Sequence, residues 1–131
     1  MSAAATRTIA MTQAIMDGWG DLSTDFNPLH VDPEYAANTQ FGGTIAHGHY
    51  NLAVMHQLML EVAGEAWRTG GTLRKVRFRA PVRPGNTYVL TATADAEQAD
   101  TWRLEIRPQD DADTLSAEAE AVILDEPVWT G

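Results

Sequence analysis

Residues 47–63, H-G-H-Y-N-L-A-V-M-H-Q-L-M-L-E-V-A, decide the architecture. Leu52, Ala53, Val54, Met55, Leu58, Met59, Leu60, Val62 and Ala63 are helix formers that leave little polar face, so this stretch predicts a helix buried on most sides. Downstream of Gly70-Gly71 the apolar period shortens to two, the mark of a strand. Val76, Phe78 and Ala80 oppose Lys75, Arg77 and Arg79, as in a half-buried strand. After a turn at Pro84-Gly85-Asn86, Tyr88, Leu90, Ala92 and Ala94 alternate with Thr87, Val89, Thr91 and Thr93. Trp102, Leu104 and Ile106 then alternate with Arg103, Glu105 and Arg107. Leu115, Ala117, Ala119, Ala121 and Ile123 alternate with Ser116, Glu118 and Glu120, although Ala and Glu by themselves favour helix. A buried helix followed by consecutive short strands implies an α+β fold in which an antiparallel sheet wraps the helix.

Upstream of the helix, Met11, Ile15, Met16 and Trp19 space a short amphipathic helix over 11–20, ending near Gly18 or Gly20. Residues 21–30, D-L-S-T-D-F-N-P-L-H, have no usable period and read as loop. Asp32-Pro33-Glu34 is a helix start, with a carboxylate to cap the first amides and proline at the first helical position.

The chain's 131 residues suit one domain, and 44% hydrophobic against 21% charged residues supply one core and exclude wholesale disorder. A net charge of -9 repels nucleic-acid phosphates, so no nucleic-acid partner is expected. The absence of cysteine removes disulfides, thiolate nucleophiles and Cys-ligated zinc. The opening M-S-A-A-A-T-R-T-I-A lacks a signal peptide's apolar run, and no stretch reaches the roughly 18 apolar residues of a membrane span. A soluble, cytoplasmic protein without a membrane partner is the expectation. Cations concentrate in residues 67–83, with Arg68, Arg74, Lys75, Arg77, Arg79 and Arg83 and no acid, whereas residues 84–131 are strongly acidic. The segment reads either as the solvated face of a strand or as a phosphate-binding patch.

Asp25, Asn27 and His30 fall within six residues around a proline. A carboxylate, an amide and an imidazole on one loop suit acid–base work, or else loop-stabilising hydrogen bonds. Ala46-His47-Gly48-His49 opens the long helix with no capping side chain immediately before it, which leaves N–H donors for an anion or a developing oxyanion unless water or Thr44 caps them.

T-D-F-N-P-L-H at 24–30, V-D-P-E-Y-A at 31–36 and F-G-G-T-I-A-H-G-H at 41–49 resemble the signature of the MaoC-like hydratases, or (R)-specific enoyl-CoA hydratases, of the hot-dog fold. The likeness continues more weakly through V-R-F-R-A-P-V-R-P-G at 76–85, and the later strands fit by pattern, so one hot-dog domain over 1–131 is expected. The resemblance implies reversible syn hydration of a trans-2-enoyl thioester, carried by CoA or an acyl carrier protein, to the (R)-3-hydroxyacyl thioester. It makes Asp25 and His30 the dyad holding the water, the Gly48 amide the oxyanion donor, Asn27 an orienting residue and His47 a structural one. Arg74, Lys75, Arg77, Arg79 and Arg83 become candidates for the CoA phosphates. A homodimer is implied, with no metal and no cofactor beyond the thioester carrier. The sequence departs from the family pattern at Thr24, where many members have glycine, at Gly43-Thr44, where Arg-Pro is frequent, and at His56, where some carry a serine.

Three rivals remain. A metal site from His47, His49 and His56 is disfavoured because His49 and His56 lie about 10 Å apart along a helix. A hot-dog thioesterase would want its carboxylate on the central helix, which offers only Glu61 and Glu65 near its far end. A non-catalytic acyl binder or partner subunit would have little need of Asp25, Asn27, His30 and Gly48 together.

Overall fold

The computed structural model describes residues 3–124. Asp125 and Glu126, which add to the acidity of the C-terminal stretch, lie outside them. The order of elements is β1 (Ala3–Ala10), α1 (Gln13–Ser23), α2 (Pro28–Val31), α3 (Pro33–Ala37), α4 (Gly48–Ala63), α5 (Glu65–Gly70), β2 (Gly71–Phe78), β3 (Thr87–Ala94), β4 (Thr101–Pro108) and β5 (Ala117–Ile123). The strands form one five-stranded sheet, β1-β3-β4-β5-β2, with antiparallel pairing throughout. The expected α+β arrangement is therefore present.

The core lies between α4 and the sheet. Val54, Met55, Leu58 and Met59 from α4 meet Tyr88, Leu90, Ala92, Leu104, Ile106, Ala117, Ala119 and Ala121 from the strands. Period two is kept in β3 through β5 because alternate side chains face the helix. β5 is a strand despite its Ala and Glu content, since its alanines let the sheet approach the helix while Glu118 and Glu120 bind arginines on the outer face. Glu118 draws in Arg79 and Arg103, and Glu120 draws in Arg74 and Lys75. Those neighbours hold both carboxyls below their usual range, through Arg79 above all for Glu118 and through Arg74 for Glu120.

Four expectations are corrected. α4 buries only one side: Leu60 is 45% exposed, and Leu52, Ala53, Val62 and Ala63 are half-covered, because one sheet covers one helix face. Phe78 points outward at 54% exposure, because a bulge between Arg74 and Arg77, with Lys75 at φ 54°, breaks the alternation of β2. α1 runs past both of its glycines to Ser23 and ends at Thr24, which adopts the left-handed conformation (φ 61°, ψ 23°) that glycine tolerates best. The supposed loop over 21–30 therefore shrinks to Thr24–Asn27, since Asn27 caps the Leu29 amide and Pro28 starts α2. Two elements had no sequence counterpart above, β1 and α5. The paired start at Asp32-Pro33 holds, with Asp32 accepting from the Tyr35 amide.

Candidate active site

Three short segments converge at the N-terminal end of α4. Gly20 brings the first: a Cβ there would lie 3.2 Å from the Asp25 carbonyl oxygen and push the 24–27 turn outward, so the glycine lets that turn pack closely on α1. The second, α2, presents His30, and the third, residues 44–47, runs beneath both. The Ile45 amide donates to the Leu29 carbonyl, and the Ala46 amide to Val82, which ties these segments to one another and to the core. Gln13 fastens the assembly from α1, donating to the His30 carbonyl at 2.8 Å and accepting from the Thr44 hydroxyl at 2.7 Å. Thr44 is thus spent on Gln13 and does not cap α4.

Asp25, His30 and His47 each place one carboxylate oxygen or ring nitrogen within 4.8 Å of the others. His47, 1% exposed, donates from Nε2 to the Asp25 carbonyl at 3.0 Å and stacks on the His30 ring with centroids 4.0 Å apart. Burial holds its imidazole below the usual histidine pKa. His30 Nδ1 lies 2.8 Å from the Ile45 carbonyl. A carbonyl can only accept, so this partner assigns the proton to Nδ1 and leaves the lone pair of the neutral ring on Nε2.

The Asp25 carboxylate receives two donors: His49 Nε2 on Oδ2 at 3.1 Å and the Asn27 amide on Oδ1 at 3.2 Å. Both lower its pKa, His49 more strongly. Asn27 therefore orients Asp25 through its backbone, while its side chain caps α2. Gly48 opens α4 without a side-chain cap. A Cβ at Gly48 would sit 3.1 Å from the Phe78 ring, so the glycine also keeps the helix end within reach of whatever lies beneath that ring. His30, Phe41, Gly48, Asn51, Phe78 and Val82 line a cavity of about 320 Å³. Its lining is mostly apolar, with His30, Asn51 and Arg79 as the polar side chains.

The other candidates divide. His56 accepts from the Trp67 indole at 3.3 Å and does not line this cavity. Among the described residues, the three histidines weighed as metal ligands do not form a cluster; the donor set that comes together is Asp25, His30 and His47. Arg74, Lys75 and Arg79 are paired with Glu120 or Glu118, and Arg83 donates to the Phe41 carbonyl. Arg79 also lines the cavity, and Arg77 has no carboxylate partner among the described residues. Sequence reasoning missed Gln13, Trp19, Asn51 and the Ile45 carbonyl, and gave His49 only a disfavoured metal role. The H-x-H spacing was the available signal for His49, whereas a backbone acceptor such as Ile45 leaves no trace in residue type.

A family model for the MaoC like domain matches residues 1–108. The chain belongs to the MaoC-like family. This MaoC-like chain is 39% identical over 88 residues to "3-hydroxyacyl-thioester dehydratase Z" of Mycobacterium tuberculosis, covering 65% of this chain and 58% of that protein. To the "(R)-specific enoyl-CoA hydratase" of Rhodospirillum rubrum it is 32% identical over 95 residues, covering 70% and 62%. The aligned stretch thus spans less than two thirds of either relative. A solved (R)-hydratase from A. caviae superposes with TM-score 0.68 at 29% identity, over 94% of this chain and 96% of that one. The MaoC-like chain shares the hot-dog architecture of the solved (R)-hydratase, an antiparallel sheet packed on a long helix. No helix among its described residues is long and apolar enough to cross a membrane.

Proposed function

We propose that the protein is a hydro-lyase that adds water reversibly to trans-2-enoyl thioesters, giving (R)-3-hydroxyacyl thioesters. The observation that carries this reading is that His30, with Asp25 beside it, and the uncapped start of α4 at Gly48 open on one largely apolar cavity. The Asp25 carboxylate and His30 Nε2 both accept, so a water molecule between them would point one hydrogen at each. As its oxygen bonds to C3, one O–H bond breaks and the proton passes to His30 Nε2. The electron pair of the C2–C3 double bond moves toward the thioester carbonyl, and the Gly48 amide faces the charge gathering on that oxygen. The imidazolium then returns its proton to C2, so hydrogen and hydroxyl are added once each and the dyad is restored. Asn51, 6% exposed and one turn beyond Gly48, adds a polar side chain to the lining of the cavity.

Relatives named for enoyl-CoA hydration and hydroxyacyl-thioester dehydration support the same chemistry. The acyl chain would lie along Phe41 and Val82, with Arg79 and Arg77 the foremost candidates for the carrier's phosphates because one lines the cavity and the other has no carboxylate partner. No metal or separate cofactor takes part. The half-covered side of α4 and the free edges of β1 and β2 are surfaces that a second copy would cover, in keeping with a homodimer.

The test follows loss of enoyl-thioester absorbance with short, medium and branched trans-2-enoyl-CoAs, for wild type beside Asp25→Asn and His30→Ala. Turnover by wild type that disappears in both folded variants is expected. A folded wild type that turns over none of them, yet is thermally stabilised by enoyl-CoA, would replace the reading with acyl binding alone. Release of free CoA from saturated acyl-CoA would replace it with a thioesterase.

A further inference from the structure

His49 stands beside the dyad and has no part in the proton transfers just described. The Trp19 indole N–H lies 2.6 Å from His49 Nδ1. An indole N–H can only donate, so Nδ1 accepts and the imidazole proton sits on Nε2, the atom 3.1 Å from Asp25 Oδ2. Trp19 is itself braced edge-on by Tyr50, with ring centroids 5.3 Å apart at 81°. A chain of two hydrogen bonds therefore runs from the middle of α1, through the first turn of α4, to the carboxylate.

We propose that His49 is a positioning residue, locked by Trp19 in the tautomer that donates to Asp25, and that this contact keeps the carboxylate turned toward His30. The proposal rests on the hydratase reading for its kinetic consequences but not for its structural ones. Without His49, Oδ2 loses its side-chain donor and only the Asn27 amide on Oδ1 restrains the group. The titratable groups facing Asp25 are His30 on α2, His47 at the start of α4 and His49 within it. Among these, His49 makes the hydrogen bond to a carboxylate oxygen, while His47 binds the backbone carbonyl.

Three variants separate positioning from bulk. His49→Leu removes the donor, His49→Gln places an amide N–H about where Nε2 stood, and Trp19→Phe removes the lock but keeps a ring. The side chains of His49 and Asp25 are 46% and 36% exposed, so a loss toward the lower end for a charged hydrogen bond is expected, about fivefold to thirtyfold in kcat. That loss should fall on kcat in His49→Leu with KM unchanged, be substantially rescued in His49→Gln, and be intermediate in Trp19→Phe. Carbon-13 NMR titration of the Asp25 carboxyl supplies a readout independent of turnover: its midpoint should rise in His49→Leu and return toward wild type in His49→Gln. Wild-type kcat together with an unmoved Asp25 midpoint in folded His49→Leu would overturn the proposal while leaving the hydratase reading intact. If wild type turns over no enoyl thioester, that reading fails and the carboxyl titration alone decides the role of His49.

Discussion

Two regions hold most of the molecule's arranged charge, and they differ in what each side chain has left over. On the outer face of the sheet, Glu118 binds Arg79 and Arg103, Glu120 binds Arg74 and Lys75, and Glu105 binds Arg103 and Arg107. Most charges there meet an opposite one across a strand. At the N-terminal end of α4 the arrangement is the reverse. Asp25 is held by the Asn27 amide and His49, while His30 and His47 are each oriented by a backbone carbonyl that occupies one ring nitrogen and leaves the other without a protein partner among the described residues. His30 spends Nδ1 on Ile45 and keeps Nε2; His47 spends Nε2 on Asp25 and keeps a buried, unpartnered Nδ1. Neutralised charge makes a surface, whereas an oriented group with a spare lone pair makes a reactant.

The contrast would break first at the dyad. Asp25→Asn and His30→Ala are each expected to lower turnover by two or more orders of magnitude while the melting temperature moves by only a few degrees, measured by initial rates and circular dichroism. Loss of the fold in both would make them structural loop residues. Next comes His47→Leu, which keeps volume in a buried site but drops the donor to the Asp25 carbonyl. Stability should fall by about 1–3 kcal/mol in urea titrations, with turnover down at least about tenfold as the 24–27 turn loosens.

Acid sharpens the difference further. Burial lowers the folded pKa of His47, so the unfolded chain binds that proton more readily and stability should decline as pH falls through about 6.5. Asp25, whose pKa is lowered chiefly by His49, adds a second decline: its contribution is complete above the unfolded carboxylate pKa and is lost as pH drops through the lower folded value. Urea midpoints measured from pH 8 to 3 should show both; His47→Leu should shrink the first, to which His56, likewise lowered by burial, contributes the remainder, and leave the second in place.

Among the arginines of the sheet the expected effects are smaller and bear on binding more than on turnover. Arg77→Glu with Arg79→Glu should raise KM for an enoyl-CoA several-fold and flatten its salt dependence, with kcat within about twofold of wild type. An unchanged KM at low and high salt would leave these arginines purely structural. The smallest shift belongs to Thr24→Gly. Relieving a β-branched residue at φ 61° outweighs the added freedom of the unfolded glycine, so stability should rise by a few tenths to about 1 kcal/mol with turnover unaltered.

How much of this was legible in the sequence follows the same division. Strands β3 to β5 could be read because Tyr88, Leu90, Leu104, Ile106, Ala117 and Ala119 repeat at the period that burial against a helix demands. The alternation in β2 puts Phe78 inside, since nothing in residue type announces a bulge at Lys75. The glycines that suggest an early end to α1 do not end it, and the room Gly20 makes for the Asp25 carbonyl depends on a partner five residues further on. At the site, Asp25 and His30 are visible because a carboxylate and an imidazole on one short segment mark themselves by residue type, and Thr24 because a threonine in place of a frequent glycine marks a special backbone. The Ile45 carbonyl and the Trp19 lock are not, because one is backbone and the other is chemistry between residues thirty positions apart.

The strand order has a consequence in time. β1 pairs only with β3, so Ala10 waits for Thr87, nearly eighty positions later. At 5–20 residues per second, ribosomal synthesis needs roughly 4–15 s to deliver that partner. Throughout that interval the nascent chain carries an unmatched T-R-T-I strand and a helix α4 whose apolar face has no sheet to meet. Misassembly during translation should therefore concentrate in these two elements, and slowing the ribosome between them and β3 should lower the yield of folded protein more than an equal pause after β5.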